Sequence, residues 1–184
     1  MCARKYFYVF PYFWRRKYFS LSRLVHLKRD LTLLQVDILK RNGFHEVRDP
    51  GFSLGWGSTY LVRNATGEST KHFILWNLIY NEVAEYTTEV FYSLTKRPDV
   101  VFTLNDGRKV AVEVETTRKN ERALKPKLRI LKRFDDWFFV VADRSDREHY
   151  SQFGTTLTRI EVPRKIALYF QLDSNPELKT EKPE

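Results

Sequence analysis

Apolar residues recur at every second position in two stretches of the chain, 99–104 and 109–116, and Asn105-Asp106-Gly107 separates the two. The alternation predicts two β-strands, and the Asn-Asp-Gly sequence predicts a tight turn between them. With Gly107 in the left-handed conformation of a three-residue loop, Leu104 faces Arg108 and Asp99 faces Glu113. Val100, Phe102, Leu104, Val110, Val112 and Val114 then share one face, which is entirely apolar. Asp99, Val101, Thr103, Ala111, Glu113 and Glu115 share the other, which gathers three carboxylates at one end. A slip by one residue would carry Asp99 to the apolar side.

Before the hairpin, Leu24, Leu27, Leu31, Leu34 and Ile38 recur at threes and fours, predicting helix over 22–41. Asp30 divides it into a helix pair, and Asn42-Gly43 is its stop. Residues 44–62 read as a hairpin or wing, broken at Asp49-Pro50-Gly51 and Gly55-Trp56-Gly57. A small winged-helix-like element fits this order; a helix and hairpin packed on the main sheet fits it equally. The turn-rich stretch 64–71 is the candidate boundary. A helix is predicted over 77–94, with Ile79, Val83, Tyr86, Val90 and Leu94 as its buried stripe.

Beyond the hairpin, 120–134 predicts a helix with Leu124, Leu128 and Leu131 inward and Lys125, Lys127, Arg129, Lys132 and Arg133 displayed. Pro126 marks a start or kink in it. Residues 137–142, WFFVVA, are apolar on both faces, which predicts a central strand running parallel to 110–116 across that helix. Short helices over 146–153 and 164–171 and a strand over 158–162 follow. The expected class is α/β, with an N-terminal segment 1–63, a core 64–172 and a disordered acidic tail 173–184.

An apolar fraction of 42%, 15% of the chain being aromatic, supplies a core for one α/β domain of 184 residues. The single cysteine, Cys2, excludes an internal disulfide and a cysteine metal cluster. A reducing, cytoplasmic location fits. His26, His45, His72 and His149 show no metal-ligand spacing and read as structural or exposed. The net charge of +9 is uneven: the first 29 residues hold eight bases and no acid, while residues 30–172 hold 22 bases and 19 acids. Residues 1–19 interleave nine aromatics with five bases, including Arg15, Arg16 and Lys17. Such a segment packs on the domain through its rings, stacks bases and neutralises phosphates, or lies on an anionic membrane. It is too short and polar to span one.

Like charges facing each other across strands cost roughly 0.2–1 kcal/mol. The three carboxylates are therefore either the solvated face of an edge strand or the holders of something positive. Mg²⁺ takes one or two carboxylates, with water and a substrate phosphate completing its shell.

Pro98-Asp99, a hairpin, Glu113-x-Glu115, a basic helix and a hydrophobic strand together resemble the PD-(D/E)xK nuclease superfamily, over roughly residues 77–142. More narrowly, PDVVFTLNDGRKVAVEVE looks like the C-terminal part of plasmid replication-relaxation and mobilisation proteins. The resemblance implies a restriction-endonuclease-like αβββαβ core with a mixed sheet, in which Asp99 and Glu113 hold Mg²⁺ or Mn²⁺. The third motif position, usually Lys, is Glu115 here. In this superfamily that Lys can migrate to the next helix, which points to Lys127, Lys119 or Lys125, with Arg118 less apt because it stays protonated. The helix before the hairpin often adds an acid, for which Glu82 is the first choice and Glu89 the second.

The implied catalytic set is Asp99, Glu113, Glu115 and Lys127, and the implied metal set is Asp99, Glu113, Glu115 and Glu82. Arg15, Arg16, Lys17, Arg118, Lys119 and Lys125 are the expected nucleic-acid contacts. The expected function is a metal-dependent DNA endonuclease or nickase of a plasmid, virus or other mobile element, with DNA as partner and no small-molecule cofactor. Homodimerisation is compatible with double-strand cutting. The alternative is a non-catalytic nucleic-acid-binding protein on the same fold.

Overall fold

The computed structural model describes residues 19–48, 58–64, 66–93 and 98–174. The readings for Arg15, Arg16 and Lys17, for the two breaks between 49 and 57, for Leu94 and for the tail beyond 174 fall outside them. The chain runs β1 (Val25–Leu27), α1 (Leu33–Arg41), β2 (His45–Arg48), β3 (Thr59–Val62), α2 (Thr70–Val83), β4 (Val90–Tyr92) and β5 (Val100–Thr103). It continues through β6 (Lys109–Glu115), α3 (Glu121–Leu131), β7 (Asp136–Val141), α4 (Arg147–Ser151), β8 (Thr156–Thr158) and α5 (Val162–Ser174).

The hairpin forms in the register that its turn dictates. Val100 pairs with Val112, Phe102 with Val110 and Thr103 with Lys109. Gly107 has φ +86°, the left-handed region glycine enters without a Cβ penalty, and the Leu104 amide donates to the Arg108 carbonyl at 2.8 Å. β5 and β6 are the second and third strands of a five-stranded sheet ordered β4-β5-β6-β7-β8. Pairing is antiparallel from β4 to β6 and parallel from β6 to β8. β6 is thus the switch strand, a turn-linked partner on one side and a crossover partner on the other.

Both faces of this sheet are covered. Val100, Phe102, Val110, Val112, Val114, Phe138 and Val140 form one core with Phe73, Trp76 and Ile79 of α2 and Ile166 and Phe170 of α5. Ala111, Phe139 and Val141 on the opposite face pack with Leu124 and Leu131 of α3 and Tyr150 of α4. The N-terminal part is a three-stranded antiparallel sheet, β1-β3-β2, onto which α1 packs through Val36 and Leu39. Its Val25, Leu27, Tyr60 and Val62 belong to the same core as the apolar face of the large sheet.

Three expected elements differ. Residues 22–41 are not a helix pair: Val25, His26 and Leu27 are a buried strand on β3, and helix starts only at Leu33, where Thr32 and Gln35 form a capping box. A three-residue buried strand is a continuous run that periodicity cannot separate from helix. The helix placed over 77–94 spans Thr70–Val83 instead, because Ser69 caps the His72 amide at its start. Val90–Tyr92, assigned to that helix, pairs with β5 as an edge strand. The strand expected over 158–162 is Thr156–Thr158, since Val162 already opens α5. Among the described residues no helix is long and apolar enough to cross a membrane.

Candidate active site

β6 is buried from Val110 to Glu115, so its Glu-x-Glu is not the solvated face of an edge strand. Glu113 is 4% exposed and Glu115 1%, and their partners on β7 are Phe139 and Val141. A carboxylate taken out of water among such neighbours is costly unless paired. The pairing comes from α3 and from the loop before it.

Leu124, Lys127, Leu128 and Leu131 recur at threes and fours on one stripe of α3, and Leu124 and Leu131 are fully buried. Lys127 is therefore directed inward, not displayed as its charge suggested. Its ammonium donates to Glu113 Oε1 and, at 2.9 Å, to Glu115 Oε1. Lys119 Nζ lies 2.7 Å from Glu115 Oε2, so both oxygens of Glu115 are engaged by lysines. Lys119 is set by α4: Tyr150 donates to the Thr117 carbonyl at 2.9 Å and accepts from the Lys119 amide at 3.1 Å. His149 Nε2 donates to the Lys119 carbonyl at 2.7 Å, and Arg118 is turned to His149 Nδ1 at 3.2 Å.

Asp99 stands one rung beyond Val100 and Val112, opposite Glu113. Its carboxylate replaces the next ladder bond: Oδ2 accepts from the Val114 amide at 2.7 Å. Oδ1 lies 3.4 Å from His72 Nε2, and His72 Nδ1 is 3.1 Å from Glu68 Oε2. Trp76 Nε1 donates to that same Glu68 oxygen at 2.8 Å.

The electrostatics follow from burial and pairing. Burial pushes the Glu113 carboxyl up to about 7, the Asp99 charge adds to this, and Lys127 opposes both. Burial lowers the affinity of the Lys127 ammonium for its proton, but Glu113 and Glu115 together raise it well above the usual lysine range. At His72 burial acts downward, while hydrogen bonding and charge from Asp99 and Glu68 raise it to about 9. Burial, then the charge of Glu115, pushes the Tyr150 hydroxyl up to about 12.

Sequence reasoning thus names Asp99, Glu113, Glu115 and Lys127, and the fold brings them together, with Lys119 beside them. It does not bring Glu82 there. Glu82 is in the last turn of α2, ten residues from His72 and so about 15 Å along the axis. Glu89 is an exposed residue whose carbonyl accepts from the Thr103 amide, at the turn end of the hairpin. Lys125 is exposed on the outer side of α3 and Arg118 faces α4. Sequence reasoning missed His72 and Glu68: with the helix placed seven residues late, His72 fell outside it. The Ser69 cap signal was the clue to its true start.

Among the described residues no three or more His, Cys, Asp or Glu side chains converge as a metal-ligand group. Asp99 and Glu113 fall at opposing register positions of the β5–β6 ladder and Glu113 feels the Asp99 charge, and two carboxylates are the number that Mg²⁺ commonly takes from protein. The raised proton affinity of Glu113 comes first from burial and then from the Asp99 charge, and only the second of these would be relieved by a cation held between the two carboxylates. Compared with known proteins, the chain matches no family model, no curated protein and no solved structure.

Proposed function

We propose that this chain is a divalent-metal-dependent nuclease that hydrolyses DNA phosphodiester bonds on a restriction-endonuclease-like core. The observation that carries the reading is Glu113, buried on the central strand opposite Asp99, with a lysine of the next helix laid against it. Support also comes from the order α2, β4, β5, β6, α3, β7, which is the αβββαβ succession with a mixed sheet that the resemblance implies. Residues 98–115 look like plasmid replication-relaxation and mobilisation proteins, which makes mobile-element DNA the proposed substrate.

In this reading Asp99 and Glu113 hold Mg²⁺ or Mn²⁺. The ion, when bound, neutralises charge developing on the phosphoryl oxygens and polarises a water. Lys127 supplies the cation that residue 115 lacks, and its ammonium orients a water or phosphoryl oxygen beside Glu113. Glu115, with both oxygens on lysines, aims Lys127 and Lys119. The exposed Arg122, Lys125, Arg129 and Lys132 of α3 and its end offer charge to the phosphate backbone.

A second reading is favoured by one observation: Lys127 already bridges Glu113 and Glu115. A nucleic-acid-binding protein whose lysine has replaced the ion has that arrangement. Incubation with linear, nicked and supercoiled DNA in Mg²⁺, Mn²⁺ or EDTA separates the two. Metal-dependent cleavage that is lost in Asp99→Asn and Glu113→Gln, with binding retained, is the result expected of the nuclease. Metal-independent binding without cleavage by the unaltered protein would leave only the binding module.

A further inference from the structure

We infer that His72, backed by Glu68 and Trp76, is a positioning residue that fixes the Asp99 carboxylate for a divalent cation. This rests on the metal-dependent reading above. Five groups form one line from α2 to β6: Trp76 Nε1 donates to Glu68, His72 stands between Glu68 and Asp99, and Val114 donates to Asp99. A ring nitrogen facing a carboxylate has to donate to it. The ring is held between two carboxylates, with one nitrogen presented to Glu68 and the other to Asp99.

The two Asp99 oxygens are tied by different partners, Oδ2 by backbone and Oδ1 by His72. Backbone alone leaves the carboxylate free to swing about its bond to Oδ2; the His72 ring, 3.4 Å from Oδ1, restricts that swing. Each carboxylate oxygen has two lone pairs, so one on each remains for another cation. The side chains of His72 and Asp99 are 21% and 12% exposed, so water competes little for the contact. Glu68, whose Oε2 takes both Trp76 and His72, keeps the ring from turning away. Groups that orient a ligating side chain in this way typically contribute a factor of about 10–100 in metal affinity.

The test titrates Mn²⁺ into the full chain by calorimetry and by the electron-spin signal of free Mn²⁺, for the unaltered protein, His72→Gln, Glu68→Gln and Asp99→Asn. Circular dichroism and melting confirm the fold of each. The expected result is Mn²⁺ binding that Asp99→Asn abolishes and that His72→Gln weakens by 10-fold or more. Glu68→Gln, which touches neither Asp99 nor the ion, weakens it in the same direction and carries the test if His72→Gln does not fold. Equal affinity in the unaltered protein and both variants would overturn the inference and leave the nuclease reading standing. No Mn²⁺ binding by the unaltered protein would overturn both.

Discussion

Lys127 Nζ lies 2.9 Å from Glu115 Oε1, although a strand end, a loop and a turn of helix separate the two residues in the chain. One ammonium thereby pairs with two carboxylates buried on the central strand, and the stripe of α3 that seats Leu124 and Leu131 in the core delivers it. The site and the packing of α3 are one arrangement.

Lys127→Met is expected to destabilise the fold by about 3 kcal/mol, the lower end for removing one partner of a buried ion pair, because Lys119 still holds Glu115. Adding Glu113→Gln to it removes the orphaned charge and recovers part of the loss. Urea denaturation checks both, with a shifted midpoint at an unchanged slope.

Two buried groups are expected to make stability fall as pH rises from 4.5 to 9, while His26, its proton affinity lowered by burial, acts the other way below 6.5. Glu113 moves from its ordinary 4.5 up to about 7 on folding, so between those values the folded chain holds a proton the unfolded one has lost. His72 moves from 6.5 up to about 9 and acts with the same sign over the next window. In both cases the stabilisation is complete below the unfolded value and lost through the folded one. Glu46, bonded to Lys28 and Lys40 and lowered to about 2, acts oppositely on the acid side. Denaturation across pH is expected to show Glu113→Gln flattening the 4.5–7 arm and His72→Gln the 6.5–9 arm.

The hairpin was legible in the sequence because its signals are local. Asn105-Asp106-Gly107 sets the register, alternation sets the faces, and together they place Asp99 opposite Glu113. The parallel strand Asp136–Val141 was legible because both its faces are apolar. Val25–Leu27 was not, because a strand of three residues has no period and is defined only by β3, more than thirty residues away. His72 was not legible for a related reason: Glu68 is a local partner four residues before it, but Asp99 reaches it only through the packing of α2 on the sheet.

Gly107→Ala is expected to cost about 1–2 kcal/mol, the penalty for a side chain in the left-handed region. No atom lies within 4 Å of the added Cβ, so the loss is backbone strain alone. Thermal unfolding checks this, with Gly107→Asn expected to lose less, since Asn tolerates that conformation.

The Val114 amide is bonded to the Asp99 carboxylate where a main-chain carbonyl would ordinarily stand. Its exchange with solvent deuterium is therefore a clock for the site: the proton leaves only when the carboxylate lets go. Nuclear magnetic resonance of the free protein can read how long Asp99 keeps its orientation, with no metal or nucleic acid added.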